Sequence, residues 1–196
     1  LSDRLTREVK ELSSLQGSTL FMTLMAAFKI LLFRYTNQND IVLGTAVANR
    51  NLPEVEDMIG CFMNTVALRT RLSGGLSFID VLSKVREGSL ESYADQDVPF
   101  EKVVEVLQPE RTLGRNPLFQ ILFIFQKAFI EPIAIPGIAF TPVRVDRKGT
   151  QTDMTFFIIE REEGLRVACE YRTDLFDAPV IDQMLEHYQI LLINIV

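Results

Sequence analysis

From Ser18 onward, Phe21, Leu24, Met25, Phe28, Leu31, Leu32 and Tyr35 return every three or four residues. That spacing predicts a helix with one buried side, its first turn capped by Ser18. The pattern then changes period. Ile41 to Ala48 is a short, continuously apolar run with Asn-Asp before it and Asn-Arg-Asn after it, which predicts a strand covered on both faces. A second strand is predicted over Asn64 to Leu72. Ser77 opens an amphipathic helix through Phe78, Leu82, Val85 and Tyr93. Pro99 opens a shorter one with Phe100, Val103, Val104 and Leu107 on its apolar face.

After Pro117 the chain turns to β-branched and aromatic residues. Strands are predicted over Leu118 to Phe125, Asp153 to Arg161 and Leu165 to Asp174. The last two make a hairpin with Glu163-Gly164 as its turn, and Leu165, Val167, Cys169 and Tyr171 alternate with Arg166, Ala168, Glu170 and Arg172. A final helix starts near Asp177 and Pro179 and carries Val180, Met184, Tyr188, Leu191, Leu192 and Ile195 on one side. Helices and strands are interleaved, with strands crowding toward the C-terminal half. An α/β fold follows, a two-layer sandwich with a mixed β-sheet and packed helices. Gln126 to Gly137 is the least regular stretch, an apolar segment interrupted by Pro132 and Pro136, and it is expected to be covered by another surface.

Composition narrows the function classes. Among 196 residues, 26 acidic side chains face 20 Lys and Arg, for a net charge of -6. The basic footprint of a nucleic-acid binder is missing, so no nucleic-acid partner is expected. The segment Phe21 to Leu32 is broken by Thr23 and Lys29 and is too short to span a bilayer, so no membrane partner is expected. Leu1 to Leu15 is charged and amphipathic without a signal-peptide cleavage site, and a chain opening on Leu1 is expected to be an excerpt of something longer. Cys61 and Cys169 stand far apart, with neither metal-ligand spacing nor a disulfide framework. Reduced thiols in a cytoplasmic setting are expected.

Candidate chemistry is sparse. His187, the sole histidine, has no nucleophile beside it in sequence and reads as a helix-flank residue. Cys61, between Gly60 and Phe62, reads as a small buried hydrophobe. Asp95 with Asp97, Glu162 with Glu163, and Asp174 with Asp177 are carboxylate pairs, read as helix starts, a cap and a solvated turn. Glycine-rich phosphate loops, HExxH and GxSxG are absent. The residues alone describe an α/β domain without a self-contained active site.

Four stretches taken together resemble the condensation domains of nonribosomal peptide synthetases. They are Ile59-Gly60-Cys61-Phe62-Met63-Asn64-Thr65 leading to Leu68-Arg69; Gln96-Asp97-Val98-Pro99-Phe100-Glu101-Lys102-Val103-Val104; Arg115-Asn116-Pro117-Leu118-Phe119-Gln120; and Glu170-Tyr171-Arg172-Thr173-Asp174-Leu175-Phe176. Gly44-Thr45 and Asn49-Arg50 lie upstream in matching order. The resemblance implies one lobe, the C-terminal one, of a two-lobed chloramphenicol-acetyltransferase-like fold, with the N-terminal lobe absent from residues 1–196. It implies a reaction joining carrier-bound aminoacyl or peptidyl thioesters through an amide bond, in a tunnel between the lobes. The family's paired-histidine motif belongs to the other lobe, so this chain is expected to hold no catalytic residue and to be inactive alone. Where the family commonly has a histidine before Gln-Asp, this chain has Asp95.

For this lobe the resemblance implies substrate-tunnel or loop-bracing roles for Gly60, Asn64, Asp97 and Arg115. It implies no cofactor or metal bound directly; the phosphopantetheine arms of carrier domains bring the substrates. Expected partners are the N-terminal lobe, peptidyl and aminoacyl carrier domains and an adjacent adenylation domain, with Gln126 to Gly137 as a segment crossing between lobes. Two alternatives stay open: a noncatalytic carrier or interdomain docking module, and a lobe of an epimerisation-type domain.

Overall fold

A computed structural model describes residues 1–110, 114–127, 138 and 149–196. The chain enters through α1 (Asp3–Leu15) and α2 (Leu20–Thr36), forms β1 (Asp40–Val47), a short α3 (Pro53–Glu56) and β2 (Asn64–Arg71), and continues through α4 (Phe78–Ala94) and α5 (Phe100–Leu107). It then builds β3 (Ile121–Lys127), β4 (Met154–Arg161) and β5 (Gly164–Tyr171), and closes with α6 (Ala178–Ile195). The strands form one sheet in the order β2-β1-β3-β4-β5. β1 runs antiparallel to β2 and parallel to β3, β3 is parallel to β4, and β4 and β5 form an antiparallel hairpin. This is the expected mixed sheet with packed helices.

Several local details differ from expectation. Thr19, not Ser18, caps α2, its hydroxyl accepting from Met22 N–H at 3.2 Å; Ser18 Oγ instead reaches Ser13 O at 3.1 Å. The hairpin tip is Glu162-Glu163, because Gly164 already pairs with Arg161 and opens β5 with φ +117°, a value glycine adopts freely. β3 begins at Ile121 rather than Leu118, since Asn116 Oδ1 accepts from Leu118 N–H (3.0 Å) and Phe119 N–H (3.2 Å) and folds that stretch into a turn. On α6 the inward residue is Ile181, while Val180 is exposed. The proposed crossing segment, Gln126 to Gly137, lies outside the described residues from 128 onward.

The helix expected to have one buried side is buried almost all round. Met22 through Lys29, Leu31 and Leu32 of α2 are all buried, because the small residues Ala26, Ala27 and Thr23 let neighbours close in where a one-sided stripe would leave solvent. Phe28 stacks on Phe156 (ring centroids 4.1 Å apart) and lies 5.6 Å from Phe123, and Tyr188 of α6 meets both Phe28 and Phe156 edge-on. The Tyr188 hydroxyl donates to Leu24 O at 3.0 Å. It therefore enters the core without an unpaired polar atom.

Strand alternation assigns the other face. Ile121, Phe123, Phe125, Met154, Phe156, Ile158 and Leu165 belong to the helix-packed core, whereas their neighbours Leu122, Ile124, Phe157 and Ile159 are half-buried and stand outside it. On that second face Phe119, 2% exposed, lies on the backbone of Gly44 and 5.5 Å from the Phe100 ring.

Lys29 is fully buried, and its ammonium donates to Leu68 O and Thr70 Oγ1 of β2, each at 2.8 Å. Burial lowers its pKa to about 7, opposed by the nearby charge of Asp40. The folded chain therefore binds fewer protons than the unfolded chain between about pH 7 and the ordinary lysine value of 10.5. Lys29's contribution makes stability rise through that window, by up to about 1.4 kcal/mol per pH unit. Half-buried Cys169 opposes the rise above its ordinary value of 9.0, its thiol being pushed up to about 12 by desolvation, with a smaller contribution from the charge of Glu170. Urea denaturation from pH 7 to 8.5 should show increasing stability, and Lys29→Met should flatten the response.

Candidate functional site

The site is built where β1 ends and β2 begins, Val47 pairing with Asn64. After β1, Asn49 takes a left-handed conformation, φ +52°, which a short polar side chain tolerates better than most. The turn sets up two consecutive side chains. Arg50 donates from Nη1 to the carbonyls of Val55, Glu56 (3.2 Å) and Met58 (2.8 Å), and from Nη2 to Gly60 O at 3.0 Å. Its guanidinium lies over the Phe62 ring, 4.4 Å from the centroid. Asn51 points to the other side and donates to Asp97 Oδ1 at 3.2 Å.

Asn64 uses both halves of its amide. Nδ2 donates to Gln96 O and Val98 O at 2.7 Å each, while Oδ1 accepts from Phe100 N–H at 3.2 Å and from Thr65 N–H at 2.9 Å. The loop between α4 and α5 is thereby clamped to the first residue of β2. Both N–H donors are spent on backbone carbonyls, so the side chain works as a brace.

These tethers border an open cavity of about 270 Å³ lined by Asn49, Phe62, Met63, Asn64, Thr65, Asp97, Pro99, Phe100 and Glu101. A second, more apolar cavity of about 330 Å³ shares Thr65 and Phe100 with it and continues along β2 to Val98 and Val103. The first carries carboxylates and amides but no histidine, cysteine or lysine among the described residues that line it. Its walls can hold a substrate and accept hydrogen bonds from an amine. Among the described residues no group of three His, Cys, Asp or Glu side chains is placed to hold a metal ion.

Of the four residues singled out from the sequence, two line the cavity, Asn64 and Asp97; Gly60 is not among its lining residues and joins the frame only through its carbonyl's bond to Arg50. Arg115 does not join them. Its Nε lies 3.9 Å from Asp153 Oδ2, just before β4, and β4 is separated from Asn64's strand β2 by both β1 and β3. Cys61, expected to be a buried hydrophobe, is exposed, because the loop turns the Phe62 ring rather than the thiol toward Arg50. His187 is on the exposed flank of α6, its Nδ1 2.8 Å from the Tyr35 hydroxyl. Arg50 and Asn51 carry the frame yet were not among the site candidates. The signal available was the polar triplet Asn49-Arg50-Asn51 directly after an apolar strand.

Known proteins share this architecture. The condensation-domain family matches residues 1–196. A linear gramicidin synthase of Brevibacillus parabrevis is 48% identical over 94% of this chain, and malpinin synthetase of Mortierella alpina 41% over 91%, the chain spanning 2% of each relative's length. Among solved structures, the X-domain from teicoplanin biosynthesis superposes with a TM-score of 0.88 at 27% identity, over 98% of this chain and 44% of that one. A four-domain nonribosomal peptide synthetase bound to AMP and glycine gives 0.88 at 26% identity, over 99% and 16%.

Removing the brace tests the frame. Asn64→Ala leaves Gln96 O, Val98 O and Phe100 N–H without their partner, and should cost about 1–3 kcal/mol in a denaturant titration. Faster amide exchange should be confined mainly to residues 96–100.

Proposed function

Because the chain belongs to the condensation-domain family of nonribosomal peptide synthetases, we propose that it is the C-terminal lobe of such a domain and forms part of the chamber in which two carrier-bound substrates are joined. The amine nitrogen of a downstream aminoacyl thioester attacks the carbonyl carbon of the upstream thioester. A C–N bond forms, the C–S bond breaks, the amine gives up a proton, and the released sulfur leaves as a thiol. The phosphopantetheine arms of carrier domains deliver both thioesters, and the preceding lobe supplies the histidine that orients or deprotonates the amine.

One observation carries this reading. The family match runs through all 196 residues, yet the chain spans only 44% of the comparable X-domain. Two features support it. The second face of the sheet presents Leu122, Ile124, Phe157 and Ile159 outside the chain's own core, apolar area suited to a partner lobe. The cavity has shape and hydrogen-bonding groups but no histidine among the described residues that line it. Positioning of two tethered reactants is a large source of rate by itself. Carrier domains and a neighbouring adenylation domain are the further partners we infer. Free thiols at Cys61 and Cys169 suit a reducing compartment such as the cytoplasm.

A second reading, a docking module without chemistry of its own, is favoured by one comparison. An X-domain of the same fold, 28% identical, is known in complex with OxyB. The higher identity to peptide synthases places it second.

The two readings separate in an assay with donor and acceptor carriers loaded with aminoacyl groups. This chain alone should give no dipeptide, and this chain together with the separately expressed N-terminal lobe should give dipeptide that neither makes alone. Product from this chain alone would contradict the division of labour. Carrier binding without product from the assembled lobes would favour the docking module.

A further inference from the structure

Arg50 belongs to no feature of the reaction described so far, yet it sits behind one wall of the 270 Å³ cavity. From Ile59 to Met63 the chain makes no backbone–backbone hydrogen bond with the described residues. It is an exposed loop, and five residues without a ladder would ordinarily sample many conformations. What holds it is the guanidinium. One planar group gathers the carbonyls of Val55, Glu56, Met58 and Gly60 and covers the ring of Phe62. Phe62 and Met63 are the part of the loop that lines the cavity. The next residue, Asn51, tethers Asp97 in the opposite wall. The two walls are therefore registered against each other by adjacent residues of one short turn.

We propose that Arg50 is a positioning residue for the condensation: by fixing Phe62 and Met63 it holds one wall of this open cavity in place, so that the partner lobe can cover it and exclude water while the two thioester-bound substrates meet. The inference rests on the condensation reading above. The thioester carbonyl has two possible nucleophiles. Attack by the amine forms the C–N bond and releases the thiol. Attack by water forms a C–O bond and releases the same thiol with a free carboxylic acid. A loop freed from Arg50 admits water to the same carbonyl, so the ratio of acid to amide reports the wall directly.

The test uses the whole condensation domain, both lobes present, with loaded donor and acceptor carriers, and quantifies hydrolysed donor against dipeptide. Arg50→Ala should raise the acid-to-amide ratio about tenfold, with faster amide exchange over residues 58–63. Arg50→Lys keeps the charge but cannot reach four carbonyls with one ammonium, and should fall between the two. With the hydrolysis of the loaded carriers alone subtracted, a simple loss of folded protein lowers both domain-dependent products together and leaves their ratio unchanged. An unchanged ratio in folded Arg50→Ala or Arg50→Lys domains, whose loop exchange has nonetheless quickened, overturns the proposal. A wild-type domain that makes no dipeptide at all overturns the condensation reading, and this inference with it.

Discussion

Enclosure of α2 is the constraint on which the rest of the structure depends. A helix whose residues Met22 to Lys29 are all buried can exist only if the sheet and the helices around it close over it together. Its central ring, Phe28, touches Phe123, Phe156 and Tyr188 at once, and so couples β3, β4 and α6 through a single side chain. The one charge on its buried length, Lys29, is carried inside only because β2 presents a carbonyl and a hydroxyl to it. A buried ammonium without such partners would cost several kcal/mol. The position of β2 is thus tied to α2 by polar contacts as well as packing, and β2 is the strand from which the candidate site grows.

The site follows from that anchoring by short steps. Asn64 opens β2 and fixes the loop leading into α5, while Arg50 and Asn51 close β1's turn and fix what lies on either side. Regular structure supplies the platform, and three polar side chains convert two loops into walls. On the condensation reading proposed above, what such a chamber contributes is loops that stay where the reacting ends of two tethered substrates require them.

Much of this was legible in the sequence, and the failures have physical causes. The period of 3.6 in α2 and α6 and the alternation in β5 came from burial on a defined face, so those elements and their order were readable, whereas α1 and the four-residue α3 were not read as helices. The stripe in α2 understated burial because Ala26, Ala27 and Thr23 are small enough to pack without announcing themselves. Asn64 and Asp97 stood out in a family-like stretch and do meet in space. Arg115 stood out equally but lies beside Asp153 at the start of β4, with β1 and β3 between it and Asn64's strand, since nearness within a motif set says nothing about nearness in a fold. Arg50 was passed over for a different reason. Its partners are backbone carbonyls, which every residue has and no sequence distinguishes.

The contact between Gly44 and Phe119 has a consequence for how relatives of this chain can diverge. A side-chain carbon at position 44 would run into the Phe119 ring, and that ring leans on Phe100, which lines both cavities. The two positions therefore cannot change in either order with equal ease. A lineage that first trades Phe119 for a smaller residue opens room for a later side chain at 44, whereas one that first gains a side chain at 44 must displace the ring and disturb the chamber wall. The sterically accessible order of substitution at this spot is directional, set by a clash between one missing methyl group and one aromatic edge.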